Sequence, residues 1–397
     1  YYMERLIDRA ADEMGINRLT LRKRNFIKPS QLPFAAASGV TYDSGDFAGV
    51  FNKALEISDH VNFSRRKKES KKNGKLRGIA VGSYLEVTAP PSGELGKITF
   101  EPDGSVKLTT GTLDYGQGHA TPFAQVLSAQ LGVPFEKITL EQSDSDLVRF
   151  GNGTGGSRSI TATGQAIVEA SALVIEKGKQ ATAHLLEASE GDIEFAGGRF
   201  TIAGTDRSIG IMDLAKRLRE GKMPEGAPQS LDVDHATKDT PSTFPNGCHV
   251  AEVEIDPDTG VVKIIRYFAV NDFGTVVNPM IVAGQLHGGV AQGIGQALME
   301  QVSYDTSGQP ITGSFMDYAL PRAEDIPPME IGDHPSPAKS NPLGTKGCGE
   351  AGCAGSLVCI VNAVVDALSE HGISHIDMPL TPERVWRAIQ DAKAKAA

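Results

Sequence analysis

Hydrophobic residues at the start of the chain recur with the spacing of amphipathic helices. Apolar side chains three or four positions apart are found at Met3, Leu6, Ile7, Ala10, Ala11 and Met14. This period predicts two helices within residues 3–27, the first of them ending at Gly15. Asp46 is placed to cap a third helix over residues 47–57, since its carboxylate can accept hydrogen bonds from free backbone N–H groups. Residues 60–75 are polar and charged, which indicates a solvated helix end or a linker.

Strand patterns begin at Gly78. Residues 79–87 predict a strand, and a Pro-Asp-Gly turn at 102–104 joins residues 98–100 and 106–108 into a hairpin. After this hairpin we expect a helix around 119–131, a strand around 137–142, a glycine-rich loop at 151–159 and a long helix from about 160 to 187.

The second half of the chain repeats this order. A hairpin is predicted from residues 250–255 and 261–270, around a turn at 257–260. It is followed by a helix around 279–300, a proline-rich connection at 321–343, a helix near 354–370 and a last helix that Thr381-Pro382 opens. The shared order of hairpin, loop and helix suggests a distant internal repeat. Hairpins mixed with helices, without regular βαβ alternation, are typical of the α+β class.

These elements divide the chain into three parts. Residues 1–75 are an N-terminal helical segment and linker. Residues 76–240 are a first α+β subdomain, and residues 241–397 are a second. The predicted fold is therefore a pair of related hairpin-plus-helix subdomains.

Composition narrows the class of partner. The chain has 397 residues with a net charge of −10, which argues against a nucleic-acid partner. The basic cluster at 65–68 is interrupted by Glu69 and indicates a solvated face. No apolar run reaches the length of a membrane span. The chain begins at Tyr1 without an initiator Met or a signal-peptide pattern, so we expect it to be part of a longer product.

The cysteines do not have the spacing of a metal or cluster motif. The four are Cys248, Cys348, Cys353 and Cys359, and none forms a C-x-x-C pair. Iron–sulfur clusters usually need four thiolates at such spacings, so we expect none on this chain. Disulfides are the less favoured reading, which agrees with a reducing compartment and a cytoplasmic location.

Four polar or glycine-rich loops precede or open helices, at 116–121, 151–159, 284–292 and 344–352. Backbone amides at helix starts, with Ser and Thr hydroxyls and an Arg, can bind anions. The run Thr-Gly-Gly-Ser-Arg-Ser at 154–159 suits a phosphate, although a flexible loop with an N-cap Ser explains it equally well. Gln117 and Gln285 need partners at both ends of their amides if buried, which suggests an extended polar ligand.

One carboxylate lies inside the last of these loops, at Glu350. A Glu is costly to hold in a tight, buried turn unless the fold needs its charge or its proton. The alternative is a helix-entry turn whose Glu merely interacts with the helix N-terminus. This segment alone leaves the two interpretations equally open.

Two nucleotide-binding motifs and a zinc site are disfavoured. Residues 347–352 match G-x-G-x-x-G, but Pro337 and Pro342 indicate a loop where a strand is required. No phosphate-binding P-loop motif occurs. His371 and His375 flank a glycine and indicate a helix exit rather than zinc ligands.

Four sequence words together resemble the molybdenum hydroxylase family, which includes xanthine dehydrogenase, aldehyde oxidase and aerobic carbon monoxide dehydrogenase. The likeness is greatest to the large subunit of the carbon monoxide dehydrogenase branch. The words are G-T-L-D-Y-G-Q-G-H-A-T at 111–121, G-T-G-G-S-R-S at 153–159, G-Q-L-H-G-G-V-A-Q-G-I-G at 284–295 and G-T-K-G-C-G-E-A-G at 344–352.

The resemblance implies a molybdopterin cofactor that carries molybdenum, in its cytosine dinucleotide form. It implies that Glu350 is the catalytic base beside the metal. The cofactor contacts implied by the matching words are Gln117, Gly118, Thr154, Gly155, Gly156, Ser157, Arg158, Ser159 and Gln285. The implied reaction is the oxidation or water-derived hydroxylation of an aldehyde, an N-heteroaromatic compound or carbon monoxide.

The resemblance also implies partners. This chain resembles only the C-terminal molybdopterin-binding domain, and its partners would be the N-terminal half of the large subunit, an iron–sulfur small subunit and an FAD-containing medium subunit. Electrons would pass to the iron–sulfur and FAD centres on those other chains. We expect the isolated chain to bind cofactor weakly or not at all, and to be inactive. The competing hypothesis is a cofactor-free assembly or scaffold module of such a complex.

Overall fold

A computed structural model of the chain describes residues 1–89, 92–221 and 223–396. The helices are α1 (Tyr2–Glu13), α2 (Arg18–Asn25), α3 (Phe47–Ile57), α4 (Phe63–Lys72), α5 (Ala120–Leu131), α6 (Ser159–Leu186), α7 (Ile211–Glu220), α8 (Pro279–Leu298), α9 (Ala351–Leu368) and α10 (Pro382–Ala396). The strands are β1 (Phe34–Ala35), β2 (Thr41–Tyr42), β3 (Leu76–Leu85), β4 (Leu95–Phe100), β5 (Val106–Thr110), β6 (Ile138–Glu141), β7 (Ile193–Ala196), β8 (Arg199–Ile202), β9 (Ser208–Gly210), β10 (Val233–Ala236), β11 (Asn246–Ile255), β12 (Val262–Asp272) and β13 (Met329–Asp333). The predicted α+β class is confirmed.

Two four-stranded sheets have the same construction. Their strand orders are β10-β4-β5-β6 and β13-β12-β11-β3. In each sheet an antiparallel hairpin is followed by a helix and then by a strand that runs parallel to the second strand of the hairpin. A long helix, α6 in one unit and α9 in the other, comes next. This shared order supports the internal repeat that the sequence suggested.

The two units exchange their first strands. β3 precedes the first hairpin along the chain, yet it pairs antiparallel with β11 of the second unit, from Leu85 opposite Asn246 to Leu76 opposite Ile255. β10 precedes the second hairpin, yet it pairs with β4 of the first. The pairing of β3 therefore crosses the predicted division between residues 76–240 and 241–397, and that division stays a prediction.

Helices α8 and α9 lie against each other and form part of the core of the second unit. Glycines allow this close approach. A Cβ added at Gly352 of α9 would lie 2.5 Å from the backbone oxygen of Leu286 on α8. The second unit thus holds the start of α9 in a narrow range of positions.

Residues 351–371 contradict the prediction that no apolar run reaches the length of a membrane span. By length and composition Ala351–His371 could cross a membrane, but 78% of its apolar stretch is buried inside the protein. A buried core helix can have the same length and composition, and here the apolar side chains of α9 pack against β3 and β11.

The polar segment 60–75 is also more structured than expected. It contains α4, on which Arg66 is largely buried and lies 2.5 Å from the fully buried carboxylate of Glu252. The interpretation of the basic cluster as a solvated face is therefore wrong for Arg66. The small sheet β7-β8-β9 and the helix α7 are further elements that the pattern did not predict.

Candidate functional site

A cavity of ≈ 380 Å³ lies between the start of α6, the first turns of α8 and the loop before α9. Most of the candidate residues line it, although they come from four separate parts of the sequence. These lining residues are Gln117, Thr154, Gly155, Gly156, Ser157, Ser159, Gln285 and Glu350. The spatial convergence that the sequence words required is therefore present.

The remaining two candidates, Gly118 and Arg158, are not among the residues that line the cavity. Arg158 is buried, and its guanidinium lies 3.6 Å from the carboxylate of Glu94. Because Glu94 is fully buried, it attracts the nearest cation. Gly118 has a positive φ of 73° and helps to form the turn beside Gln117.

The loop that carries Gln117 is organised by Asp114, which the sequence analysis did not single out. The Asp114 carboxylate accepts hydrogen bonds from the backbone N–H groups of Gly116 at 2.7 Å, Gly118 at 3.2 Å and His119 at 2.8 Å. The amide oxygen of Gln117 accepts from the N–H of Tyr115 at 2.5 Å. Since its oxygen is engaged in this way, Gln117 can offer its amide N–H donors to a bound molecule.

The loop before α6 has an unusual backbone at two adjacent residues. Gly156 has a φ of 59° and Ser157 a φ of 57°, so a non-glycine residue adopts the left-handed conformation. Such strain persists where surrounding contacts hold it, and it is common at functional sites. At Gly155 an added Cβ would meet nothing within 4 Å, which leaves this part of the loop accessible to a bulky ligand.

Ser157 joins this loop to the loop of Glu350. The backbone N–H of Glu350 donates to the Ser157 hydroxyl at 3.0 Å, and that hydroxyl lies 2.9 Å from Oε2 of Glu350. Glu350 occupies the N-cap position of α9 but accepts no capping hydrogen bond from that helix. Glu350 is exposed in this chain, which corrects the expectation that it lies in a buried turn.

A second carboxyl group, missed by the sequence analysis, lies on the other side of Ser157. Oε1 of Glu86, just beyond β3, is 2.6 Å from the same hydroxyl. Burial, together with the charge and hydrogen bonding of Glu350, raises the pKa of Glu86 to about 7, although the Ser157 hydrogen bond opposes this shift. In the sequence Glu86 is one polar residue within a predicted strand, and no local signal marks it.

The Glu350 loop is fixed at its other end by a fully buried ion pair. Nζ of Lys346 lies 2.6 Å from Oδ2 of Asp272, and neither side chain is exposed. The other oxygen of Asp272 accepts from the N–H groups of Gly274 and Ser336 at 2.9 Å. Lys346 lines the cavity, but its charge is paired with Asp272 and stabilises the Glu350 loop.

The donors around the cavity suit a large ligand with polar edges and an anionic group. Amides come from Gln117, Gln285 and Gln292, and hydroxyls from Thr154 and Ser159. The start of α6 adds backbone N–H groups, which favour a phosphate. Within the described ranges, no group of three or more His, Cys, Asp and Glu residues is placed to hold a metal ion.

The cavity is formed by segments that also carry the likeness to known proteins. The model of a family described as molybdopterin cofactor-binding domain matches residues 53–327. The carbon monoxide dehydrogenase large chain of Hydrogenophaga pseudoflava is 34% identical over 406 residues, which cover 98% of this chain and 50% of that one. The nicotine 6-hydroxylase large subunit of Paenarthrobacter nicotinovorans is 35% identical over 400 residues, covering 97% and 49%.

A solved structure has the same fold. The crystal structure of the Cu,Mo-CO dehydrogenase in its carbon monoxide reduced state superposes with a TM-score of 0.91 at 32% identity, and the match covers 98% of this chain and 51% of that chain. The chain therefore spans about half the length of the curated relatives it matches.

Proposed function

Because the chain belongs to the family of molybdopterin cofactor-binding domains, we propose that it is part of the catalytic subunit of a molybdenum hydroxylase or dehydrogenase. The observation that carries the proposal is the convergence of Gln117, Ser157, Gln285 and Glu350 on one cavity. A scaffold module would not need an exposed carboxylate and several amide groups around the same space.

The proposed cofactor is molybdopterin with molybdenum, in its cytosine dinucleotide form. The amides of Gln117 and Gln285 would hold polar edges of the cofactor, and the backbone of residues 154–159 would hold its phosphates. When bound, the cofactor supplies the redox chemistry, and the protein positions it. Gly118 and Arg158 would act indirectly, by shaping the loops that carry these contacts.

Glu350 is the proposed catalytic base. Its carboxylate is exposed to the cavity side of the loop, where it can receive a proton from a reacting group. The backbone N–H of Glu350 is tied to Ser157, so the main chain at this position is held in one place. The chain itself would therefore contribute orientation and proton uptake.

The substrate class follows from the relatives rather than from the cavity alone. One relative is named for carbon monoxide and another for nicotine, an N-heterocyclic compound. We infer a small substrate among carbon monoxide, aldehydes and N-heteroaromatics, with electrons passed to iron–sulfur and FAD centres on other chains. The free state of all four cysteines agrees with a cytoplasmic location.

An exposed apolar segment suits the proposed partner half of the large subunit. Large apolar side chains are exposed at Val302, Tyr304, Ile311, Phe315, Met316 and Leu320, with Phe315 85% and Met316 94% exposed. Large exposed apolar side chains that lie this close together in the sequence are typical of protein contacts. Since the chain spans about half of its relatives, we assign this surface to the rest of the large subunit, with small and medium subunits completing the complex.

The proposal is tested in the complex assembled with candidate partner subunits. Glu350→Gln should abolish turnover while molybdenum, measured by elemental analysis, stays bound. Glu136→Gln, at an exposed carboxylate, is the matched control and should keep both. A complex without molybdenum, or full turnover in Glu350→Gln, would contradict the proposal. Full molybdenum occupancy in the isolated chain would contradict the expected need for the partner half.

A further inference from the structure

We propose that Glu86 is the second member of a carboxyl pair with Glu350, that the two share one proton through the Ser157 hydroxyl, and that Glu86 accepts the proton which Glu350 takes up. This inference rests on the proposed function of Glu350 as a base. Glu86 acts through Ser157, so it is a positioning and proton-holding residue.

The distances around the Ser157 hydroxyl require a proton on one of the two carboxyl groups. The Ser157 hydroxyl lies 2.6 Å from Glu86 and 2.9 Å from Glu350, and it already accepts the Glu350 N–H at 3.0 Å. A hydroxyl has a single proton to donate. With both carboxyl groups ionised, one of the two short O···O contacts would have no hydrogen and would be repulsive. One carboxyl group must therefore be protonated.

The surroundings of Glu86 favour a neutral acid at that position. Its Oε2 is buried without a hydrogen-bond partner in the described part of the chain. No Lys or Arg among the described residues forms an ion pair with it, whereas the buried carboxylate of Glu252 contacts three arginines. An uncompensated buried carboxylate is disfavoured relative to its protonated form.

The other titratable groups near Glu86 do not compete for the proton. Burial, with a further contribution from the charge of Glu86, raises the pKa of Tyr84 and of Cys348, the latter to about 12. Burial and the charge of Glu350 likewise raise the pKa of Cys353. These three groups stay neutral while the pair titrates, and Lys346 is bound to Asp272.

Proton transfer within the pair is balanced. When Glu350 has gained a proton, the proton that Glu86 already holds first passes to solvent. The Glu350 O–H bond then breaks as Ser157 takes its proton, and the Ser157 O–H bond breaks as Glu86 takes the second. Glu350 returns to the carboxylate form, Ser157 is unchanged, and Glu86 again holds one proton. No oxidant or other reactant is needed.

The first test reads protonation directly and needs no turnover. Infrared difference spectra of the assembled complex, prepared with and without molybdenum, should show one carboxylic acid that titrates near neutral pH. Glu86→Gln should remove this band, and the Glu136→Gln control should keep it. Ser157→Ala should shift the pH at which the band titrates, because the bridge between the two groups is lost. A band unchanged in Glu86→Gln would overturn the proposal.

The second test reads the pH dependence of turnover in the molybdenum-loaded complex. Glu86→Gln should lower kcat about tenfold, with KM unchanged, and remove from the pH profile the titration near pH 7 that belongs to Glu86, since glutamine neither titrates nor accepts a proton. Glu86→Asp should restore part of kcat. A Glu86→Gln enzyme with the parent profile would contradict this inference alone, whereas an active Glu350→Gln enzyme would contradict the proposed function.

Discussion

Lys346 donates a hydrogen bond of 2.6 Å to Asp272, and both side chains are shielded completely from solvent. The pair joins the loop of Glu350 to the end of β12, where Gly274 and Thr345 also form a bridge. A charge in such a place is tolerated only with its partner, because removing one member leaves the other buried and uncompensated.

We therefore expect Lys346→Met to lower the free energy of unfolding by about 3–5 kcal/mol. Chemical denaturation of the chain measures this change. Lys216→Met, which removes an exposed lysine that lies 3.9 Å from Glu220, is the control and should change stability by less than about 0.5 kcal/mol. The double variant Lys346→Met/Asp272→Leu should recover part of the loss, and a Lys346→Met chain as stable as the control would show that the pair contributes little.

The buried His249 should make the chain sensitive to acid. Burial lowers the pKa of His249 to about 4 from its ordinary value of 6.5, although a hydrogen bond to Asn271 opposes the shift. The folded chain thus binds this proton less readily than the unfolded chain. The stability that depends on neutral His249 is complete above about pH 6.5 and is lost as the pH falls towards 4, with a total of about 3 kcal/mol.

His249→Asn should flatten this part of the pH–stability curve. The amide can keep a contact with the Tyr267 hydroxyl, which lies 2.6 Å from Nδ1 of the histidine, but it does not titrate. Denaturation of both chains between about pH 4 and 7 gives the two curves. His287→Asn, at an exposed histidine, should keep the parent slope. Parallel curves for parent and His249→Asn would refute the prediction.

The contact between α8 and α9 offers a matched pair of glycine substitutions. A Cβ at Gly352 would lie 2.5 Å from the backbone of Leu286 and of Val290, whereas one at Gly288 would meet nothing within 4 Å. Gly352→Ala should therefore force the helices apart, cost about 1–3 kcal/mol and displace Glu350 two residues away. Gly288→Ala should stabilise the chain by about 0.5–1 kcal/mol, since alanine is the better helix former. Melting curves that rank the two variants in the opposite order would contradict this packing.

Local sequence patterns predicted the helices and the hairpin strands well. The features that they missed depend on contacts between residues far apart in the chain. Asp46 caps α3 through the N–H of Gly49 as expected, because a cap involves residues only a few positions apart. The exchange of β3 and β10 between the two sheets had no local signal, since β3 pairs with a strand far along the chain. Strand register depends on such distant contacts, which periodicity does not report.

The same reason separates the site residues that were predicted from those that were not. Gln117, Ser157 and Glu350 were identifiable because each lies in a loop that family resemblance marks. Glu86 and Asp114 acquire their roles only when folding brings Ser157 and the turn at 116–119 beside them. Arg158 is the opposite case. Its sequence segment suggested a phosphate contact, whereas its guanidinium lies 3.6 Å from the carboxylate of Glu94.

Arg158 and Glu94 therefore make a sharp last test. If Arg158 mainly compensates Glu94, Arg158→Met should lower the free energy of unfolding by about 1–3 kcal/mol, because the Glu94 carboxylate, 0% exposed, loses its cation. Arg158→Met/Glu94→Gln should restore most of that stability, and molybdenum analysis of the assembled complex should find the double variant loaded like the parent. Arg149→Met, which removes an exposed partner of Asp234, is the control for loss of an arginine. A stable double variant that no longer holds molybdenum would instead assign Arg158 to the cofactor phosphates.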